Sequence, residues 1–206
     1  MNILQITANF APRGTSQTVR TVNMAKAFVS AGKSLEILTY DEDTLTLFSP
    51  YDEALSVKVP REVCINRVHA GPLRKWLIMR KQKGDNPTKI KQIGGQSPWI
   101  SILIPDPHID AVPAFVRAAR RIVKRFHPDL ILTHGYPFST HLVGYFLKKK
   151  YPNMRWIADY GDPWCGAPIT ELYRPRWREL LDYHIERHML KRVDLVTVTT
   201  EPTREL

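Results

Sequence analysis

Short apolar runs alternate along the chain with longer segments whose apolar positions have helical spacing. The short runs lack that spacing, which is typical of buried strands, and they lie at residues 2–7, 35–40, 63–70, 129–134, 155–160 and 194–200. The longer segments predict helices at residues 15–32, 114–129, 138–152 and 175–192. This alternation predicts an α/β fold with an open, doubly wound, mostly parallel, Rossmann-like sheet.

The first 40 residues have the strand–turn–helix–strand order of a βαβ unit, which is long enough for a parallel crossover. The clearest amphipathic helix follows Pro113. Phe115, Ile122 and Phe126 share one face of it, while arginines and lysines occupy the other. A chain of this length is sufficient for one core, so we expect a single Rossmann-like domain over residues 1–206.

The composition is that of an ordinary globular protein. Apolar residues make up 43% of the 206 residues and charged residues 24%, which excludes collagen, coiled coil and intrinsic disorder. No apolar run approaches the roughly 20 residues that span a bilayer, and residues 1–8 predict a strand instead of a signal peptide. Because only Cys64 and Cys165 are cysteines, we expect no disulfide scaffold and a reducing, cytoplasmic compartment.

The charge balance favours anionic partners: 30 basic against 20 acidic residues give a net charge of +10. Residues 67–91 concentrate basic side chains around Trp76 and Leu77, which suits the anionic inner face of a plasma membrane. An ordinary solvated loop fits this stretch equally well. Between Gly71 and Val112 the sequence predicts no long regular element, which is typical of functional or mobile segments.

Ligands of doubly wound sheets bind beyond the carboxyl ends of the strands, so the loops at those ends contain the candidate site residues. Gly14 and Thr15 precede the first predicted helix, where free backbone N–H groups and the positive end of the helix dipole can bind a phosphate. The glycine pattern matches neither the dinucleotide fingerprint nor the P-loop. A simple strand-to-helix turn therefore remains an equal alternative.

Two later loops carry the other candidates. His134 ends the fourth predicted strand, where an imidazole can donate to a phosphate or sugar hydroxyl or act as a base; a structural hydrogen bond is the alternative. Asp159 and Asp162 follow the fifth strand and can accept hydrogen bonds from sugar hydroxyls, while Trp164 offers a flat face to a sugar ring. A turn capped by Asp162 is the alternative there.

His184 and His188 share one face of the last predicted helix and have the spacing of zinc ligands. The segment lacks the H-E-x-x-H order, and the sequence supplies no evident third ligand. We therefore predict a solvated helix face and no metal site.

Four segments together resemble the N-terminal domain of glycosyltransferase family 4, whose members have the GT-B fold. They are N-F-A-P-R-G-T-S-Q-T-V-R at 9–20, P-D-P-H-I-D-A-V-P at 105–113, H-P-D-L-I-L-T-H-G-Y-P-F-S-T-H at 127–141 and W-I-A-D-Y-G-D-P-W at 156–164. The last is similar to the A-D-F-R-D-P-W type found in members that build bacterial surface polysaccharides. The resemblance covers essentially the whole chain.

The resemblance implies a retaining enzyme that takes sugar from a nucleotide-sugar, uses no metal, and has two Rossmann-like domains facing across a cleft. The N-terminal domain of such enzymes mostly binds the acceptor, here a glycan or a lipid-linked saccharide. Gly14 would lie near the donor diphosphate, and His134 would be the catalytic residue facing the transferred sugar. Asp159 and Asp162 would line the acceptor side. Arg20 falls where family members often carry an arginine.

The chain also departs from the family pattern. Thr15 replaces the second glycine of the usual pair, and Tyr160-Gly161 replaces the centre of the A-D-F-R-D-P-W motif. The family's C-terminal domain, with its Glu-x7-Glu signature, is missing, and residues 201–206 resemble a cut end. We therefore expect the chain alone to be inactive in transfer.

Two other classes stay open on the sequence. The net charge fits a nucleic-acid-binding module, but the chain has no stacking or helix-turn-helix motif, and we expect no nucleic acid partner. Asp41 and Glu42 follow the second strand, as the ribose-binding acid does in dehydrogenases. A stand-alone nucleotide-binding protein of that kind would need a fuller glycine fingerprint.

Overall fold

The computed structural model describes residues 1–46, 51–69, 71–72, 103–166 and 175–205. In these ranges six strands form one sheet, and every neighbouring pair is parallel. The strand order β3-β2-β1-β4-β5-β6 reverses at β1, which confirms the predicted doubly wound α/β fold. The strands are β1 (Asn2–Ile6), β2 (Ser34–Tyr40), β3 (Cys64–Val68), β4 (Leu130–Gly135), β5 (Arg155–Tyr160) and β6 (Leu195–Val198).

All four long helices predicted from periodicity are present. They are α1 (Ser16–Ser30), α4 (Val112–Phe126), α5 (Ser139–Lys150) and α6 (Arg176–Leu190). The described part of the chain also has three short helices of 5 residues each, which had no prediction because one turn is too short to show a period: α2 (Glu42–Thr46), α3 (Glu53–Val57) and α7 (Glu201–Glu205). Within the described ranges, no helix is long and apolar enough to cross a bilayer.

The sheet separates two apolar cores, one on each face. The first lies under α1 and α3 and includes Ile3, Val22, Ile37 and Leu55. The second is larger and lies under α4, α5 and α6, with Ile6, Phe115, Ile122, Leu147, Trp156 and Met189 among its members. Helices α4, α5 and α6 therefore form one layer on the same face of the sheet.

Helix α4 shows how the sequence sets local structure. Pro113 stands in its first turn, where no backbone N–H is needed, and His127 ends it in the left-handed conformation, at φ 49°. Arg125 in the last turn forms a two-pronged ion pair with the buried Glu36 of β2, at 2.7 Å for each contact. The amphipathic prediction for this helix is confirmed.

The segment between β3 and α4 is described at residue 69, at residues 71–72 and from residue 103 onward. Its last part contains one 3₁₀ turn, Ile109–Ala111. Asp106 attaches this part to the start of α5, because its carboxylate accepts from the Ser139 backbone N–H at 2.9 Å and from the Ser139 hydroxyl at 2.7 Å. Most of the basic stretch 67–91, including Trp76, lies outside the described residues.

Candidate functional site at the carboxyl ends of the strands

The loops after β1, β4 and β5 meet at the carboxyl edge of the sheet and are joined by hydrogen bonds. The Gly135 carbonyl at the end of β4 accepts from Gln17 Nε2 at 3.2 Å and from the Gly161 backbone N–H at 3.1 Å. Asn9 Nδ2 donates to the Tyr136 carbonyl at 2.7 Å. The three candidate loops therefore lie together, as the parallel topology requires.

Asp159 is the centre of a buried polar cluster at this edge. The sheet register places it opposite His134 of β4 and Thr197 of β6. Its carboxylate accepts from His134 Nδ1 at 2.8 Å and from Thr197 Oγ1 at 2.7 Å. Arg20 from α1 completes the cluster with a fork, Nε to Oδ2 at 3.0 Å and Nη2 to Oδ1 at 2.5 Å. Four hydrogen bonds thus converge on one carboxylate.

The electrostatics of this cluster keep Asp159 ionised. Burial by itself would raise the pKa of Asp159, but the hydrogen bonds from His134 and Arg20 outweigh it and hold the pKa well below its usual value. The same contact with Asp159 raises the pKa of Arg20. Because an ionised carboxylate can only accept, we assign the proton of the His134 ring to Nδ1.

His134 lies deeper than the resemblance implied. Its side chain is 0% exposed, although the histidine was expected to face an open cleft. Nε2 has no hydrogen-bond partner among the described residues. The hydrogen bond from Nδ1 to Asp159 therefore fixes the imidazole ring, and the buried Nε2 is available as an acceptor.

Gly14 and Thr15 lie at the predicted place, directly before α1. The Thr15 side chain caps the helix, since Oγ1 accepts from the Thr18 backbone N–H at 3.2 Å. The sequence did not indicate this capping role. Gly14 is partly exposed at the same helix start.

Asp162 and Trp164 have opposite environments. Asp162 is exposed in the loop that follows β5. Trp164 is fully buried and stacks on Phe138, with ring centroids 5.4 Å apart and planes 10° apart. The prediction of an open sugar platform at Trp164 is wrong for this structure, because the indole fills the core under α5.

Tyr136 is an edge residue that the sequence analysis did not select. Its side chain is 46% exposed, and its ring contacts Phe138 edge-on at 5.7 Å. Together with the Asn9 hydrogen bond to its carbonyl, this contact holds an exposed aromatic ring beside the candidate loops. Its place directly after His134 and Gly135 was the available signal.

The described residues contain no group of three or more side chains with the arrangement of a metal site. His184 and His188 are both exposed on α6, and His188 Nε2 contacts the Tyr145 hydroxyl at 3.1 Å. Cys64 and Cys165 do not form a disulfide with each other.

A doubly wound sheet with polar loops at its carboxyl edge defines a Rossmann-like, ligand-binding α/β domain. Residues 15–206 match the model of the glycosyl transferase 4-like domain, and the chain therefore belongs to this family of glycosyltransferase domains. No curated protein sequence matches the chain.

Two solved structures are similar to the chain, and the first of them has the same fold. Sucrose-phosphate synthase from Thermosynechococcus elongatus has a TM-score of 0.60 at 15% identity, over 100% of this chain and 44% of that protein. A spinosyn rhamnosyltransferase complexed with thymidine diphosphate has a TM-score of 0.47 at 12% identity, over 96% of this chain and 45% of that one. The chain thus spans less than half the length of these proteins.

Proposed function

We propose that this chain is the acceptor-side domain of a retaining glycosyltransferase that uses a nucleotide-sugar donor. The acceptor is a glycan or a lipid-linked saccharide, in the synthesis of a cell-surface polysaccharide. A second domain, absent from these 206 residues, supplies most of the donor site, and the chain alone is inactive. The observation that carries the proposal is the convergence of the loops after β1, β4 and β5 at one edge.

Exposed and buried residues have different parts in this proposal. Gly14, Tyr136 and Asp162 contact the substrates directly, because they are accessible at the edge. The Gly14 backbone lies beside the donor diphosphate at the start of α1. Asp162 accepts from acceptor hydroxyls, and the Tyr136 ring packs on a sugar face.

His134 is buried beneath these exposed residues. With Nδ1 held by Asp159, its Nε2 can accept a hydrogen bond from a hydroxyl of the transferred sugar. Because the ring is fully buried, this contact requires the elements covering it to move when substrates bind. Arg20 and Asp159 then position the histidine and do not bind substrate themselves.

The leaving group in this mechanism is the nucleoside diphosphate. Its charge is stabilised by backbone N–H groups at the start of α1 and by basic residues of the second domain, without a metal ion. The domain works at the cytoplasmic face of the membrane, and the basic stretch 67–91 contributes to its association with anionic lipid.

We expect His134→Ala in the complete enzyme to lower kcat by about tenfold, the effect of losing one hydrogen bond to the reacting sugar. The variant is assayed well below its melting temperature, by transfer from a panel of nucleotide-sugars to saccharide acceptors. His188→Ala, an exposed histidine on α6, serves as the control and keeps full activity. If His134→Ala loses thermal stability while kcat stays at the wild-type value, the histidine is structural and this part of the mechanism is wrong.

A further inference from the structure

Helix α6 buries two charged side chains and exposes four large apolar ones. Its inward side also contains the core residue Met189, and its exposed side also contains Arg176, His184 and Arg187. Arg178 and Asp182 point into the protein and are 4% and 0% exposed. Four large apolar side chains are exposed: Trp177 is 53% exposed, Leu180 63%, Leu181 41% and Tyr183 50%. Four exposed large apolar side chains are unusual for a helix on the surface of a soluble domain, whose outer face is normally polar.

The inward polar contacts hold α6 in this orientation. Arg178 donates to the Leu103 carbonyl at 3.0 Å and to the Pro105 carbonyl at 2.8 Å, and it pairs with Asp182 at 3.3 Å. Rotation of the helix to bury its leucines would leave a guanidinium and a carboxylate without these partners. The apolar face is therefore a stable feature of the folded chain.

The neighbouring helices of the same layer supply positive charge. Helices α4 and α5 contain no aspartate or glutamate. Arg125 is exposed on α4 but pairs with Glu36. The other exposed basic side chains are Arg117, Arg120, Arg121 and Lys124 on α4, and Lys149 and Lys150 on α5. One face of the protein thus combines a basic area with an apolar helix.

We propose that the outer surface of α4, α5 and α6 docks on an anionic membrane. The exposed apolar side chains of α6 enter the headgroup region, where amphipathic rings such as those of Trp177 and Tyr183 are favoured. The basic side chains of α4 and α5 contact lipid phosphates. A second copy of the chain is a poorer occupant, because pairing this face with itself would bring like charges together. This docking surface deepens the proposed function. The connection between the surface and a lipid-linked acceptor rests on that function.

The test is sedimentation of the 206-residue chain with vesicles. Wild-type protein binds vesicles of equal parts phosphatidylglycerol and phosphatidylcholine and does not bind pure phosphatidylcholine. The double variant Leu180→Gln/Leu181→Gln weakens this binding by about tenfold or more, because it removes the inserted apolar groups. Arg117→Gln/Arg121→Gln weakens it as well and reduces its dependence on salt.

Matched controls come from the opposite layer of the sheet. Val19→Gln/Val57→Gln replaces two exposed apolar residues, 44% and 81% accessible, on α1 and α3. Lys26→Gln/Lys58→Gln removes the same charge from that side. Both controls bind vesicles like the wild type, and circular dichroism melting verifies that every variant is folded.

Two outcomes overturn the proposal. One is vesicle binding that the α6 variant leaves unchanged. The other is a dimer, seen by size-exclusion chromatography with light scattering, that the α6 variant dissociates, which would assign the face to a second copy. The vesicle assay contains neither donor nor acceptor, so its failure is distinguishable from a failure of sugar transfer.

Discussion

Replacing Asp159 by asparagine is expected to lower the unfolding free energy of the chain by about 3 kcal/mol near neutral pH, as when one partner of a buried ion pair is removed. The amide has nearly the same shape but no charge, and its NH2 group cannot accept from Arg20 or His134. Arg20 is 32% exposed and regains some water, so we expect the lower end of the usual range. Denaturant unfolding followed by circular dichroism measures the loss.

Asp162→Asn is the matched control for this prediction. It makes the same chemical change three residues away, at an exposed carboxylate in the loop that follows β5. Its effect should stay within about 0.5 kcal/mol. If the two variants lose the same stability, the buried cluster does not stabilise the fold in the way that its geometry implies.

The pH dependence of the Asp159→Asn effect follows from the same contacts. The folded-state pKa of Asp159 lies below its unfolded value of about 3.9, so its contribution is fully present above that pH and is lost as pH falls toward the folded pKa. The stability difference between wild type and Asp159→Asn should narrow as the pH falls below about 4. A difference that widens on acidification would contradict an ionised Asp159.

Gly144→Ala is expected to destabilise the protein by a net of about 2 kcal/mol. A methyl group at this position of α5 would lie 2.5 Å from Nε1 and 2.7 Å from Cζ2 of the Trp156 ring. Trp156 is fully buried and donates to Thr133 Oγ1 at 2.9 Å, so the ring cannot move freely. Forcing a methyl group into this packed site costs up to about 3 kcal/mol. The better helix propensity of alanine offsets only about 1 kcal/mol of that cost.

A double-mutant cycle distinguishes this clash from other effects of the alanine. In a Trp156→Phe background the smaller ring leaves room for the methyl group, so Gly144→Ala should there be neutral or stabilising. Thermal unfolding of the four proteins gives the coupling free energy. Additive losses would mean that Trp156 is not the obstacle.

The sequence predicted most of the sheet and the long helices because their signals are local. Apolar runs and helical periodicity depend on neighbours within a turn or two, which is why α4, with Phe115 and Ile122 on one face, was identified. The short helix α3 contains only 5 residues and gives no periodic signal. Its presence depends on Leu55 packing into the core beside α1.

The candidate site was predicted in its position but not in its chemistry. His134 and Asp159 were selected as strand-end residues, and parallel topology brings them together. Their burial, and the pairing of Asp159 with Arg20 across 139 residues of sequence, depend on the register of β4, β5 and α1, which no local pattern reveals. The prediction that Trp164 binds a ligand was wrong for the same reason: its stacking on Phe138 is a tertiary contact, which no local pattern reveals.

The most direct test of the acceptor-side assignment is amide NMR of the chain during titration with a water-soluble saccharide linked to a short prenyl diphosphate. We predict that the largest shift changes occur at Tyr136 and Asp162, around the carboxyl ends of β4 and β5. Saturable changes confined to the opposite edge of the sheet, near Asn2 and Asp129, would contradict it.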